Sequence, residues 1–431
     1  MNLSEKLKAF ISGKELHKKA PDSSLGEKPG DFQTSEGLDN GWGEDLCRLT
    51  GGRIVNTPYG RHLLVQNNYD WSFCHGGIEL GEIRNISPEA LKLLAKDDGY
   101  ARLNFNRSVF IDTETTGLAG GSGTYAFLIG VGFFDCTGFK LNQYFMMDLD
   151  EEPAVLFSLG NLLKGFEAII SFNGRAYDIP LLSARFLINR MENHVEKPLH
   201  LDLLWSARRL YRERLESVSL SSLETKLFSL HREGDVPSFE IPSIYFRYLR
   251  EKNPYPLQPI FHHNRMDILS LVTLTVRMAA ALENPFCSGD LLGQDYYCLG
   301  RLYEDMGMIE ESIICYNRAL NVPGVKERAY LQLSLLYKRL GKWNDAEKLW
   351  IKMARDNIHS VFALVELAKF YEHRLKDYKK AAVAAQRALE IAYKNKGLLG
   401  FSAKNEIEEL KKRLARIKCK QGSISEQVKI L

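Results

Sequence analysis

Phe110-Ile111-Asp112-Thr113-Glu114-Thr115-Thr116-Gly117-Leu118 is the stretch on which the reading of this chain turns. Val109, Phe110 and Ile111 lead into it as a buried strand would. Strand side chains alternate between faces, so Asp112 and Glu114 project from one side, close enough to share a cation. Two neighbouring carboxylates repel, and unpaired acids on a central strand are costly. A D-x-E at a surface strand edge would carry no chemistry; after three apolar residues the pair reads as a seat for something positive.

Outward from this strand, a Gly-rich turn at Gly120 to Gly123 precedes a second apolar strand, Ala126 to Phe134, and Gln143 to Met147 reads as a third. The turn lacks the strand-then-helix context of a nucleotide-binding loop and reads as a hairpin turn. Val155, Leu159, Leu162, Leu163 and Phe166 recur at helical spacing, and Ala168 to Phe172 reads as a buried strand. This alternation predicts an α/β domain. Two further polar blocks punctuate it. In Ile170-Ser171-Phe172-Asn173-Gly174-Arg175-Ala176-Tyr177-Asp178-Ile179-Pro180-Leu181-Leu182 a strand ends in a turn and a helix begins, so Asp178 is either a helix cap or a functional acid. In Phe261-His262-His263-Asn264-Arg265-Met266-Asp267, running into an apolar helix, His263 and Asp267 are four apart and share a face. On a solvated surface helix such a pair would be bland.

The last third is periodic. Tyr303, Tyr337 and Tyr371 are separated by 34 residues each (337 − 303 = 34; 371 − 337 = 34). Tyr296, Leu299, Gly300, Gly307, Tyr316 and Ala319 recur as Tyr330, Leu333, Gly341, Ala346 and Trp350. A third unit, with Leu364, Leu367 and Ala368, needs one inserted residue to bring Ala381, Ala385 and Ala388 into phase. Small residues where helices cross and aromatics between them resemble the tetratricopeptide repeat. Ile407, Leu410, Leu414 and Ile417 then mark a capping helix. Lys394 to Lys420 holds nine Lys or Arg against three Glu, either a nucleic-acid patch or the solvated face of that cap.

Composition bounds the rest. At 431 residues there is room for about three domains. With 45% hydrophobic and 26% charged residues the chain can bury a core. A net charge of +3 excludes a polycationic binder, so any nucleic-acid affinity must come from local patches. Seven cysteines without a C-x-x-C pair suggest neither a disulfide framework nor a zinc knuckle, and a reducing compartment is expected. The longest apolar run, Ala126 to Phe134, is far short of the ~20 residues of a membrane span. Met1 to Lys19 has lysines where a signal peptide has an apolar core, so a cytoplasmic protein is expected.

Together the three acidic blocks resemble the DEDD 3′–5′ exonuclease family, the proofreading branch of the RNase H-like fold, over roughly Ser108 to Leu282. The extension E-T-T-G-L-x-G-G-x-G-T and the carboxy-terminal repeats are further similar to bacterial YprB-type proteins, a resemblance that brings no substrate with it. It implies an α/β RNase H-like domain, a mixed sheet flanked by helices at 108–285, followed by an all-α tetratricopeptide solenoid with its cap at 290–420. Separately, the Gly, Ser, Pro and Asp-rich composition from about Ala20 to Trp42 predicts a flexible leader at 1–45, and an extension at 46–107 is expected to pack on the nuclease domain. The resemblance also implies two divalent ions, Mg²⁺ or Mn²⁺, about 4 Å apart. Asp112 would bridge both, Glu114 and Asp267 would complete the site holding the attacking water, and Asp178 would support the second ion through a water. Thr115, Gly117, Leu118 and Asn173 would hold the terminal nucleotide.

The general base departs from the family pattern. One branch places His five residues before the last Asp, here His262; the other places Tyr four before it, where this sequence has His263. Asp-Ile-Pro after Tyr177 is more like the tyrosine branch, which favours His263 while His262 stays open. Arg208, Arg209, Arg212 and Arg214, with Arg175, Arg185 and Arg190, either face a phosphate backbone or pair with acids. The expectation is a metal-dependent 3′–5′ exonuclease on single-stranded DNA or RNA ends, with repeats for a protein partner and no membrane association. The competing readings are a catalytically silent adaptor and a structure-selective endonuclease.

Overall fold

The computed structural model describes residues 42–117, 123–197, 199–286 and 291–430. The expected leader falls largely outside them, as do Leu118 and most of the Gly-rich turn. The chain divides into two compact units, one running to Ser206 and resuming over Ser219–Glu283, the other formed by Ala207–Val218 with Asn284–Leu431.

In the first unit, helix α1 (Trp42–Thr50) precedes strands β1 (Arg53–Thr57) and β2 (Gly60–Tyr69), a short pair β3 (Cys74–His75) and β4 (Ile78–Glu79), and helix α2 (Pro88–Ala95). Then come β5 (Ser108–Thr115), β6 (Ala126–Asp135), β7 (Gly138–Phe145), helix α3 (Glu152–Leu163), β8 (Ala168–Ser171), helix α4 (Asp178–Ile188) and β9 (Leu199–Asp202). Among the described residues these make a seven-stranded sheet in the order β1-β2-β7-β6-β5-β8-β9. It is mixed: β8 runs parallel to β5 and β9 to β8, and the other pairs are antiparallel. The residues before Ser108 do more than pack on this domain, because β2 pairs with β7 from Leu63↔Phe145 to Tyr69↔Phe139 and extends the sheet. The third strand starts earlier than Gln143, at Gly138, because alternate Phe139 and Leu141 are fully buried.

Helices α5 (Leu203–Tyr211), α6 (Leu220–Phe228), α7 (Ile241–Glu251) and α8 (Gln258–Glu283) follow. Ser219 caps α6, its side chain accepting from the Ser222 N–H. The long α8 lies across the sheet over a track of two glycines on one face of β6. A Cβ at Gly130 would stand 2.3 Å from Asn264 Oδ1, and one at Gly132 2.7 Å from Ile268 Cγ2. The missing side chains let the helix approach the strand. Tyr245 of α7 stacks on Phe127 at 3.9 Å between centroids, inside the core beneath.

The second unit is helical: α9 (Gly293–Asp305) with α10 (Ile309–Ala319), α11 (Lys326–Arg339) with α12 (Trp343–Arg355), and α13 (Ser360–Phe370) with α14 (Tyr378–Ile430). Tyr316, Ala319, Ala346 and Trp350 are fully buried at the crossings. The residue that breaks the third period is absorbed by a π-helical turn at Tyr371–Leu375, the usual way a helix accommodates one extra residue. The cap is no separate helix, since α14 runs unbroken to Ile430 and buries Ile407, Leu410, Leu414 and Ile417 in the same core. No proline interrupts it, and a helical glycine costs only about 1 kcal/mol.

The arginines and lysines suspected of facing nucleic acid are largely committed elsewhere. Arg185 forms a buried pair with Glu152, Nε to Oε1 2.5 Å, and Arg214 Nε lies 3.0 Å from Asp295 Oδ2. Arg175 bonds the Tyr100 hydroxyl at 2.9 Å. Within the basic run, Arg416 and Lys420 both bond Glu372, whose side chain is fully buried, and Lys411 and Lys412 pair with Glu408 and Glu409. Among the described residues no helix is long and apolar enough to cross a membrane.

Candidate active site

Asp112 and Glu114, two apart on β5, emerge on the face that α8 covers. Asn264, fully buried, donates to Asp112 Oδ2 at 2.9 Å, while Gln143 of β7 donates to Asn264 Oδ1 at 2.9 Å. The strand acid is thus oriented from two neighbouring elements. Asp178 opens α4 and accepts from Thr113 Oγ1 at 2.5 Å. It arrives there because β8 ends in a tight turn. Asn173 takes a left-handed conformation (φ 64°), and a Cβ at Gly174 would stand 2.4 Å from Ser171 Oγ. Asp202, at the end of β9, clamps the turn by accepting from the backbone N–H of Asn173 (2.7 Å) and of Arg175 (3.1 Å).

From α8, His263 Nε2 faces Asp267 Oδ2 at 3.5 Å and Glu114 Oε1 at 3.9 Å. Ligand-capable atoms of Glu114, His263 and Asp267 lie within 4.8 Å of one another. Three sequence blocks separated by 66 and 89 positions (178 − 112 = 66; 267 − 178 = 89) are thereby brought together. His262 does not join them. One residue along the helix it is turned away, its Nδ1 2.9 Å from Arg265 Nη2, because successive helical residues point about 100° apart. Thr115 Oγ1 donates to the Gly117 carbonyl at 2.9 Å, closing the turn after the strand.

The cluster is electrostatically strained. Burial first, then Asp267 and Asp178, push the Asp112 carboxyl well above the usual range, and burial with Asp112 does the same to Glu114. Burial raises Asp178 to about 6 against the bond from Thr113, which favours the carboxylate. Opposing these acids is Arg232, which bonds Asp267 Oδ1 at 2.5 Å and also Glu224. Burial works against the Arg232 charge, but Asp267 and Glu224 hold the guanidinium protonated. Asp112, Glu114, Asp178 and Asp267 thus crowd together beside Arg232, and their oxygen donors suit a hard divalent cation.

Residues 109–279 match the model of the RNase H superfamily. This stretch is an RNase H superfamily domain. Residues 296–323 match the tetratricopeptide repeat, in agreement with α9 and α10. The chain is also similar to YprB of Bacillus subtilis (strain 168), described as uncharacterized, at 28% identity over 369 residues, covering 84% of this chain and 86% of that one. The RNase H-like domain accounts for the strand acids, the strand-to-helix turn and α8.

Sequence reasoning missed Arg232, Asp235, Asn264 and Asp202 as members of the site. Arg232 and Asp235 sit in the segment between α6 and α7, which has no periodicity to read. Asn264 sat inside a quoted block, and its spacing of three from Asp267 was the available signal.

Proposed function

We propose that the protein is a metal-dependent nuclease, a 3′–5′ exonuclease that releases nucleoside 5′-monophosphates from single-stranded DNA or RNA ends. The observation that supports this reading is the cluster of Glu114, His263 and Asp267 in an RNase H-like domain, with Asp112 and Asp178 close enough to act on one another electrostatically. Asp112, Glu114 and Asp267, with Asp178 in support, would hold two divalent ions, Mg²⁺ or Mn²⁺. Bound there, the ions would neutralise the phosphodiester and acidify the attacking water.

The chain's own residues supply the rest. Asn264 and Thr113 hold Asp112 and Asp178 in place. His263, whose Nε2 opens toward Glu114 and Asp267, is the base that takes the water's proton. Thr115, Gly117, Leu118 and Asn173 are assigned to the terminal nucleotide by family resemblance. The tetratricopeptide unit is assigned to a protein partner, and the cysteine usage supports a cytoplasmic setting.

The test is release of labelled mononucleotides from single-stranded DNA and RNA with Mn²⁺ or Mg²⁺, comparing the wild type with Asp112→Ala. Stepwise release that requires metal and disappears in the variant is the expected result. Cleavage of a circular single strand would move the reading to an endonuclease. A folded wild type that neither binds divalent metal nor cuts either strand would leave an adaptor.

A further inference from the structure

Asp235 lies in the segment joining α6 to α7, outside all three acidic blocks, and its Oδ1 stands 2.6 Å from His263 Nδ1. An ionised carboxylate can only accept, so this contact favours the tautomer with the proton on Nδ1. A neutral imidazole protonated at Nδ1 keeps its lone pair on Nε2. Nε2 is the atom that faces Asp267 at 3.5 Å and Glu114 at 3.9 Å.

Asp235 is itself held in place. The Val236 N–H donates to the same Oδ1 at 3.0 Å, and Arg232 Nη1 lies 3.6 Å from Oδ2. Arg232 is in turn fastened to Glu224 of α6 and to Asp267 of α8. The segment is therefore tied to both α6 and α8.

We propose that Asp235 is a positioning residue: it fixes the tautomer and the ring plane of His263 so that the Nε2 lone pair points at the space between Glu114 and Asp267. The proposal rests on the nuclease reading, because the proton Nε2 receives is that of the attacking water. In that step Nε2 takes a proton from the water and the water oxygen bonds to phosphorus. The bond from phosphorus to O3′ breaks, its electron pair leaves on O3′, and that oxygen takes a proton from solvent. A side chain that merely stitched the segment to α8 would leave the choice of tautomer to chance.

The experiment pairs kinetics with a spectroscopic signature on the full chain. In metal-free protein with ¹⁵N-labelled histidine, His263 Nδ1 is expected to show the shift of a protonated ring nitrogen and Nε2 that of an unprotonated one. Asp235→Asn, whose amide can donate to Nδ1, is expected to mix or reverse the two. It should also lower kcat about 100-fold or more while KM changes less than about threefold, the size of a general-base contribution. Asp235→Glu, which keeps the acceptor, should recover about a tenth of wild-type kcat or more. A wild-type ring with unprotonated Nδ1, or an active wild type whose Asp235→Asn form keeps kcat within about threefold, would overturn the proposal. Failure of the nuclease reading shows separately, as a wild type with no turnover whatever its ring nitrogens report.

Discussion

Asp112 is held where burial, Asp267 and Asp178 disfavour its charge, and the bond from Asn264 and the field of Arg232 only partly offset them. The arrangement costs stability in the metal-free protein, as crowded acids at a functional site do. Asp112→Asn keeps an acceptor for Asn264 and removes the charge. It is therefore expected to stabilise the metal-free protein by roughly 1 kcal/mol or more, read as a higher urea midpoint, while abolishing metal-dependent hydrolysis. A lower midpoint would mean that the acids are not in conflict. At this scale Asp112, Glu114, His263 and Asp267 were legible because a strand period of two and a helix period of 3.6 put each pair on one face. Which histidine turns inward was not, because the helical phase relative to β5 is set by packing.

The element that decides the site is α8 on its glycine track. Two glycines inside the apolar run A-F-L-I-G-V-G-F-F set the distance between helix and sheet. Gly130→Ala puts a Cβ where Asn264 now bonds Asp112 and Gln143, so Asn264 has to move. The expected cost is about 1–3 kcal/mol of stability, accompanied by weaker divalent-ion binding in calorimetry. An unchanged urea midpoint together with unchanged metal affinity would show that the helix does not depend on this track. The π-helical turn at Tyr371–Leu375 makes the complementary point: the surplus residue was countable in the period, but its absorption inside a helix rather than a loop was not.

Across the whole molecule, long-range pairs close each unit. In the repeat unit, Glu213 and Arg214 bond Arg328 and Asp295, more than 80 positions away along the chain (295 − 214 = 81). Glu372 gathers Arg416 and Lys420 from the far half of α14. Burial works to raise the Glu372 pKa, but those bonds pull it down to about 2, below its ordinary 4.5. A lowered carboxyl pKa stabilises the fold above the ordinary value, and that contribution is lost as pH falls from about 4.5 toward about 2. Glu372→Gln is expected to cost about 1.5–3 kcal/mol near neutrality and to flatten the acid dependence of urea unfolding in that window. Identical pH profiles for variant and wild type would remove Glu372 from the account.

The sequence alone determined the fold class, the three acidic blocks and the 34-residue period, because each is written in local spacing that the backbone geometry of strand or helix converts directly into a face. Only the tertiary structure decided that β1 and β2 extend the sheet, that Ala207–Val218 belongs with the repeats, and that Arg232 and Asp235 enter the site. Those outcomes depend on where chain segments with no periodicity come to rest, and that is settled by packing and charge pairing between residues far apart in the chain.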